Sequence, residues 1–144
     1  MTDAASPSGD ASAEEPGPTL LVTVTGADRP GVTSAIFDAL RPLDVRVLDL
    51  EQVVVRGHLT LGMLLGGPDL PAMAAAVTGV AAGLGLRVAT EPGSGPSSRN
   101  RSGRAAVVLL GAPLGAVHVA ATAEAIAAHG ANIDRIRRLS HYPV

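Results

Sequence analysis

Apolar residues in the first ninety positions follow two periods in turn. Leu20, Val22 and Val24 alternate with Leu21, Thr23 and Thr25, the period of two that suits a central strand. Val32, Ala35, Ile36, Ala39, Leu40 and Leu43 then recur at helical spacing, and Pro42 marks the end of that helix. Between the two lies Gly-Ala-Asp-Arg-Pro-Gly, residues 26–31, with Pro30 expected in the first helical turn because its missing N–H is unpaired there in any case. Residues 45–55 and 58–65 read as strands around a short Arg56-Gly57 turn, an antiparallel hairpin. Gly66-Gly67-Pro68 breaks the pattern. Asp69 then caps a helix over 70–83 with Pro71 early in it, Gly83 and Gly85 end that helix, and residues 86–90 form a fourth strand. The order β-α-β-β-α-β defines an α+β, ferredoxin-like arrangement.

A weaker copy follows at an offset of about 85 residues: Gly26 matches Gly111, while Val47 and Leu50 match Ile133 and Ile136. Residues 105–110 predict a strand, Gly111-Ala112-Pro113-Leu114-Gly115 its turn, 116–129 a helix and 132–140 a further strand. This gives a disordered tail over 1–18, a complete domain over 19–91, a flexible Gly/Ser-rich linker over 92–104 and half a domain over 105–144. A half-sheet has an open edge and too little core to fold alone. The chain is therefore expected to be a fragment of something longer, unless another subunit completes the second copy.

Composition narrows the function. The 47% of hydrophobic residues are mostly Val, Leu, Ala and Ile; the aromatics are Phe37 and Tyr142, with no Trp. Stacking on bases is thus nearly unavailable, and a net charge of −2 supplies no electrostatic footprint for nucleic acid. The absence of cysteine excludes disulfides, zinc knuckles and thiol nucleophiles and fits a cytoplasmic protein. The acidic N-terminus lacks the pattern of a signal peptide, and no apolar run approaches the ~20 residues of a membrane span. Neither nucleic acid nor membrane is expected as a partner.

Residues that mimic catalytic groups have simpler readings. Asp49 and Glu51 share one face of a strand and read as an exposed or interface-facing acid pair. His58, His118, His129 and His141 match no zinc spacing and read as surface or helix-end histidines. Ser34 and Ser140 have no His/Asp partner in any motif. Gly83-Leu84-Gly85 follows a helix instead of opening one, so it is no dinucleotide fingerprint. Arg135, Arg137 and Arg138 read as a solvated strand face or one that meets acids of a neighbouring domain.

The turn at residues 26–31 is the candidate site. Gly26 allows a tight exit from the strand, and Gly31 lets a ligand approach the helix start. There the first N–H groups lack intrahelical partners and the dipole favours an anion. A bound amino acid would offer its carboxylate to N–H groups near Gly31 and Val32. Its ammonium would need Asp28, backbone carbonyls, or Asn132 and Asp134 from a partner domain. Pro30 belongs to the same turn, and Gly111 marks its counterpart in the second copy, which lacks the acid.

VTVTGADRPGVTSAIFDAL followed by VLDLEQVVVRGHLTLGMLL resembles an ACT domain, a small ferredoxin-like regulatory module that binds amino acids. With VVLLGAPL and GANIDRIRRLSHYPV, the chain resembles more closely the tandem ACT region of actinobacterial-type phosphoserine phosphatases. D-x-P-G-V alone identifies only an ACT domain; E-Q-V-V-x-R-x-x-L-T-L-G together with N-I-D-x-I-R is more specific. Residues 41–44, Arg-Pro-Leu-Asp, depart from the glycine-containing helix exit usual in the family, and the linker is unusually rich in Gly, Ser and Arg.

The resemblance implies sensing of L-serine or another small amino acid at the strand-to-helix turn. It also implies homo-oligomerisation through ACT–ACT pairing and control of a haloacid-dehalogenase-type catalytic domain in serine biosynthesis. That domain would need Mg²⁺ and a D-x-D-x-T/V element. No such element occurs in this chain, for which no cofactor and no catalytic residue are expected. A free-standing amino-acid sensor, a module of another amino-acid metabolic enzyme, and a ligand-free dimerisation platform remain the alternatives.

Overall fold

The computed structural model describes residues 17–94 and 103–139, which belong to two units divided between Asn100 and Arg101. The first contains β1 (Pro18–Ala27), α1 (Val32–Leu40), β2 (Arg46–Val55), β3 (His58–Gly66), α2 (Leu70–Gly83) and β4 (Arg87–Ser94). Its sheet runs in the order β2-β3-β1-β4, with every neighbouring pair antiparallel. This is the α+β ferredoxin-like arrangement that the periodicity predicts.

The alternation along β1 becomes a two-sided sheet. Leu20, Val22 and Val24 are buried together with Leu59, Leu61, Met63 and Leu65 of β3. Val32, Ile36 and Leu40 of α1, and Met73, Val77 and Ala81 of α2, close over the same face. Leu21, Thr23 and Thr25 point the other way and stay exposed or half-exposed. β2 pairs only with β3, and all ten of its residues are exposed. It is an edge strand, bulged at Leu48, where the register shifts between Val47 and Asp49.

Local chemistry explains the connections. Arg56 (φ 48°) and Gly57 (φ 74°) are both left-handed, as a two-residue type I′ hairpin demands. Asp69 caps α2, its Oδ1 accepting from the Ala72 N–H at 2.9 Å. At the other end Leu86 N–H donates to the Ala81 carbonyl and Gly85 N–H to that of Ala82, the paired bonds of a Schellman motif.

Several boundaries differ from the sequence reading. The fourth strand starts at Arg87 and continues through Ser94, into the stretch that composition marks as linker. β1 begins at Pro18, and its antiparallel register requires a partner as far as Ser94. Pro92 is tolerated because β4 is an edge strand. Pro30 precedes the helix instead of opening it, because α1 begins at Val32 with Gly31 as its N-cap.

The second unit contains α3 (Ala116–Ala128), which also ends in a Schellman motif: Gly130 N–H donates to the Ala127 carbonyl and Ala131 N–H to that of Ile126. The strands expected over 105–110 and 132–140 do not form among the described residues, which end at Leu139. The first unit supplies the physical reason. There β1 and β2 are not neighbours; both pair with β3, which lies between them. Among the described residues nothing pairs with 105–110 or 132–139 as β3 pairs with β1 and β2, so neither has the ladder that would make it a strand. Val107, Val108, Leu110, Ile136 and Leu139 are accordingly each at least 60% exposed.

Candidate functional site

The loop between β1 and α1 is built around a β-turn over Arg29, Pro30, Gly31 and Val32. The Val32 N–H donates to the Arg29 carbonyl at 3.3 Å, and Gly31 has φ 88° and ψ −6°. Those angles lie close to the roughly +80° and 0° of the third position of a type II turn, which favours proline just before it. Pro30 and Gly31 thus occupy the two positions for which their residue types are suited. A Cβ at Gly31 would meet only the Ser34 hydroxyl at 3.9 Å, so the positive φ, not crowding, calls for glycine.

The first helical turn is partly committed. The Gly31 carbonyl accepts from the Ala35 N–H and from the Ser34 hydroxyl, each at 2.9 Å. No carbonyl among the described residues accepts from the N–H groups of Gly31, Thr33 or Ser34. Sequence reasoning places the anion near Gly31 and Val32. The turn bond occupies Val32, which leaves Gly31, Thr33 and Ser34 as the open donors.

Residues 28–34 line a depression of about 440 Å³ whose remaining wall is Gln52 of β2. The Thr33 hydroxyl donates to the Gln52 side-chain oxygen at 2.8 Å and joins the helix to the edge strand. The loop is anchored elsewhere as well. The Asp28 N–H donates to the Gly57 carbonyl in the β2–β3 turn at 2.8 Å, and the Arg29 guanidinium donates to the Leu84 carbonyl beyond α2. Gly26 lies before the depression, where a Cβ would come within 2.5 Å of the buried Leu86 side chain.

Of the residues singled out in the sequence, Asp28, Pro30, Gly31 and Val32 come together around the depression, and Gly26 lies near the end of the strand that leads to it. Gly111, Asn132 and Asp134 belong to the second unit. The second turn is built differently: Gly115 is extended (φ −103°, ψ 171°), and its N–H donates to the His118 ring at 2.9 Å. Sequence reasoning missed Arg29, Thr33, Ser34 and Gln52. Gln52 carried a signal, since it stands between Leu50 and Val54 on the parity that faces the helices and is the polar member of that row.

The other singled-out residues fall on the periphery. His58 is exposed at the start of β3, His118 and His129 sit at the two ends of α3, and Ser140, His141 and Tyr142 lie outside the described residues. Among the described residues no three His, Asp or Glu side chains gather as a metal site would need, and no helix is long and apolar enough to cross a membrane.

Comparison with known proteins agrees with this architecture. ACT-domain profiles match residues 18–87 and 103–144, together most of the sequence. The chain belongs to the ACT-domain family. More particularly, it is 43% identical over 129 residues to phosphoserine phosphatase SerB2 of Mycobacterium tuberculosis, covering 87% of this chain and 32% of that protein. It is also 43% identical over 130 residues to phosphoserine phosphatase of Streptomyces coelicolor, covering 88% of this chain and 32% of that protein. The chain thus spans about a third of the length of these relatives. The fold is shared with a structure described as a "putative glycine cleavage system transcriptional repressor" (TM-score 0.50, 20% identity, 58% of this chain and 49% of that one). The chain is an ACT regulatory region related to phosphoserine phosphatases.

Proposed function

We propose that this chain senses L-serine at the β1–α1 turn and controls the assembly and activity of a phosphoserine phosphatase catalytic domain that is not among these 144 residues. The observation that carries the reading is the trio of open N–H donors at Gly31, Thr33 and Ser34 beside the Asp28 carboxylate and the Gln52 amide. A zwitterionic amino acid presents an anion and a cation a few ångströms apart. Its carboxylate suits the helix start, its ammonium suits Asp28, and a short hydroxylated side chain suits the Gln52 wall. Kinship with phosphoserine phosphatases makes serine, the product of phosphoserine hydrolysis, the first ligand to try. Binding shifts activity only through a difference in affinity between two states of the assembly.

Isothermal titration with L-serine, beside L-alanine and D-serine, tests the reading. The expected result is saturable binding of L-serine with a rise in melting temperature; at ten times Kd, linkage predicts about 1.4 kcal/mol of stabilisation. No heat and no thermal shift at millimolar ligand, for any amino acid, sinks it.

A second reading is favoured by the edge strand. Val53, Val54 and Val55 of β2 are 50%, 43% and 63% exposed on a strand with one unpaired side. That side suits pairing between ACT domains with or without ligand. Substituting Val53→Lys and following mass by light scattering separates assembly from sensing.

A further inference from the structure

We infer that Arg29 is a positioning residue: it ties the candidate ligand turn to the C-terminal end of α2 and so holds the turn in its binding shape before any ligand arrives. The inference rests on the proposed amino-acid site for its functional meaning, but its structural basis is separate.

Arg29 works from both ends. Its carbonyl closes the type II turn by accepting from the Val32 N–H, while its guanidinium reaches the Leu84 carbonyl, 55 positions further along the chain. The Schellman bonds at the end of α2 run from Gly85 and Leu86 back to Ala82 and Ala81, so they leave the Leu84 carbonyl to an outside donor. A cation is favoured there by the helix dipole, and a guanidinium on a carbonyl forms a charge-assisted bond.

The same corner grips the chain a second time. Leu86, only 7% exposed, packs so closely over Gly26 that a Cβ there would sit 2.5 Å from its Cδ2. On the opposite side the Asp28 N–H is held by the Gly57 carbonyl of the hairpin. Residues 28–31 are all exposed and have no core packing of their own. Their shape therefore depends on these tethers, and of the three the Arg29 bond alone is made by a polar side chain of the turn itself. Preorganising a loop in its bound conformation raises affinity by removing the ordering cost from the binding step.

Amide hydrogen exchange on the ligand-free 144-residue chain tests this directly. Arg29→Met keeps the apolar stem and removes the charge; Arg29→Lys restores a cation. In Arg29→Met, exchange at Asp28, Val32 and Ala35 and at Leu84–Leu86 is expected to quicken together, by about three- to tenfold for loss of one exposed charge-assisted bond. The urea midpoint should scarcely move, and Arg29→Lys should recover much of the protection. Unchanged exchange, or quickening confined to Leu84–Leu86, overturns the inference, because a plain helix cap would act at that end alone.

A second arm titrates L-serine. If the wild type binds, Arg29→Met should weaken Kd by no more than the factor by which exchange quickens, because affinity falls only with the share of molecules whose turn keeps its binding shape. Equal affinity in the two proteins would mean that the turn keeps its binding shape without Arg29 and overturns its role in ligand binding. If the wild type binds no amino acid, the sensing proposal fails while the exchange result still decides whether Arg29 positions the turn.

Discussion

Thr33 of α1 donates its hydroxyl hydrogen to the side-chain oxygen of Gln52 on β2, at 2.8 Å, across nineteen positions of sequence. This bond sets the amide of Gln52 as the wall of the depression and keeps the edge strand beside the helix start. Because both partners are accessible to water, Gln52→Leu should alter unfolding free energy by no more than about 1 kcal/mol in urea titrations. Calorimetry with L-serine should show a clear loss of affinity. Equal affinity in the variant would remove Gln52 from the site.

Gly31 tests the turn itself. Any L side chain at φ 88° meets its own backbone, so Gly31→Ala should cost about 1–2 kcal/mol in equilibrium unfolding. Gly31→Asn should cost less, because asparagine tolerates the left-handed region better. Equal losses for the two variants would mean that the helix start relaxes to another shape.

Gly26 and Leu86 form a pair that a double-mutant cycle can resolve. Gly26→Ala places a methyl 2.5 Å from Leu86 Cδ2, an overpacking expected to cost about 1–3 kcal/mol. Truncating Leu86 to alanine removes the opposing atoms, so the double variant should be more stable than the sum of the single losses predicts. Strict additivity in thermal or urea unfolding would show that the two residues do not collide.

Burial separates two neighbours on α1. Ile36 is fully buried, and Ile36→Ala should destabilise by about 2–5 kcal/mol. Asp38 pairs with Arg41 at 2.5 Å, but their side chains are 58% and 81% exposed, so Asp38→Ala should change stability by less than about 0.5 kcal/mol. Unfolding midpoints for the two variants check both statements.

Residues 105–110 and 132–139 of the second unit should exchange their amide hydrogens freely. Val107–Leu110 lack a ladder, whereas Val22–Val24 sit at the centre of a four-stranded sheet. In hydrogen-exchange mass spectrometry the former should label at the earliest time point and the latter only through global opening. Comparable protection in both stretches would indicate that another chain supplies the missing strand.

The candidate site was legible only in part. Asp28, Pro30, Gly31 and Val32 lie close together in sequence, and their turn chemistry is local, so the residues announce it. Thr33 and Ser34 enter because the turn consumes Val32 N–H and shifts the open donors one residue on. Arg29 and Gln52 depend on partners 55 and 19 positions away, which no local rule identifies. The strand boundary at Ser94 shows the same limit: Pro92 and Gly93 look like linker until β1 requires a partner for Pro18.

By itself the sequence determined the element order of the first unit, the hairpin at Arg56-Gly57, the capping of α2 by Asp69 and the glycine at the β1–α1 turn. Each follows from side-chain periodicity or from backbone angles that few residues adopt. Only the tertiary structure decided what depends on strand order. Placing β3 between β1 and β2 completes the first sheet, exposes β2 as its edge and brings Gln52 to the turn. The same order leaves residues 105–110 and 132–139 without a ladder, because a strand exists only when another strand accepts its hydrogen bonds.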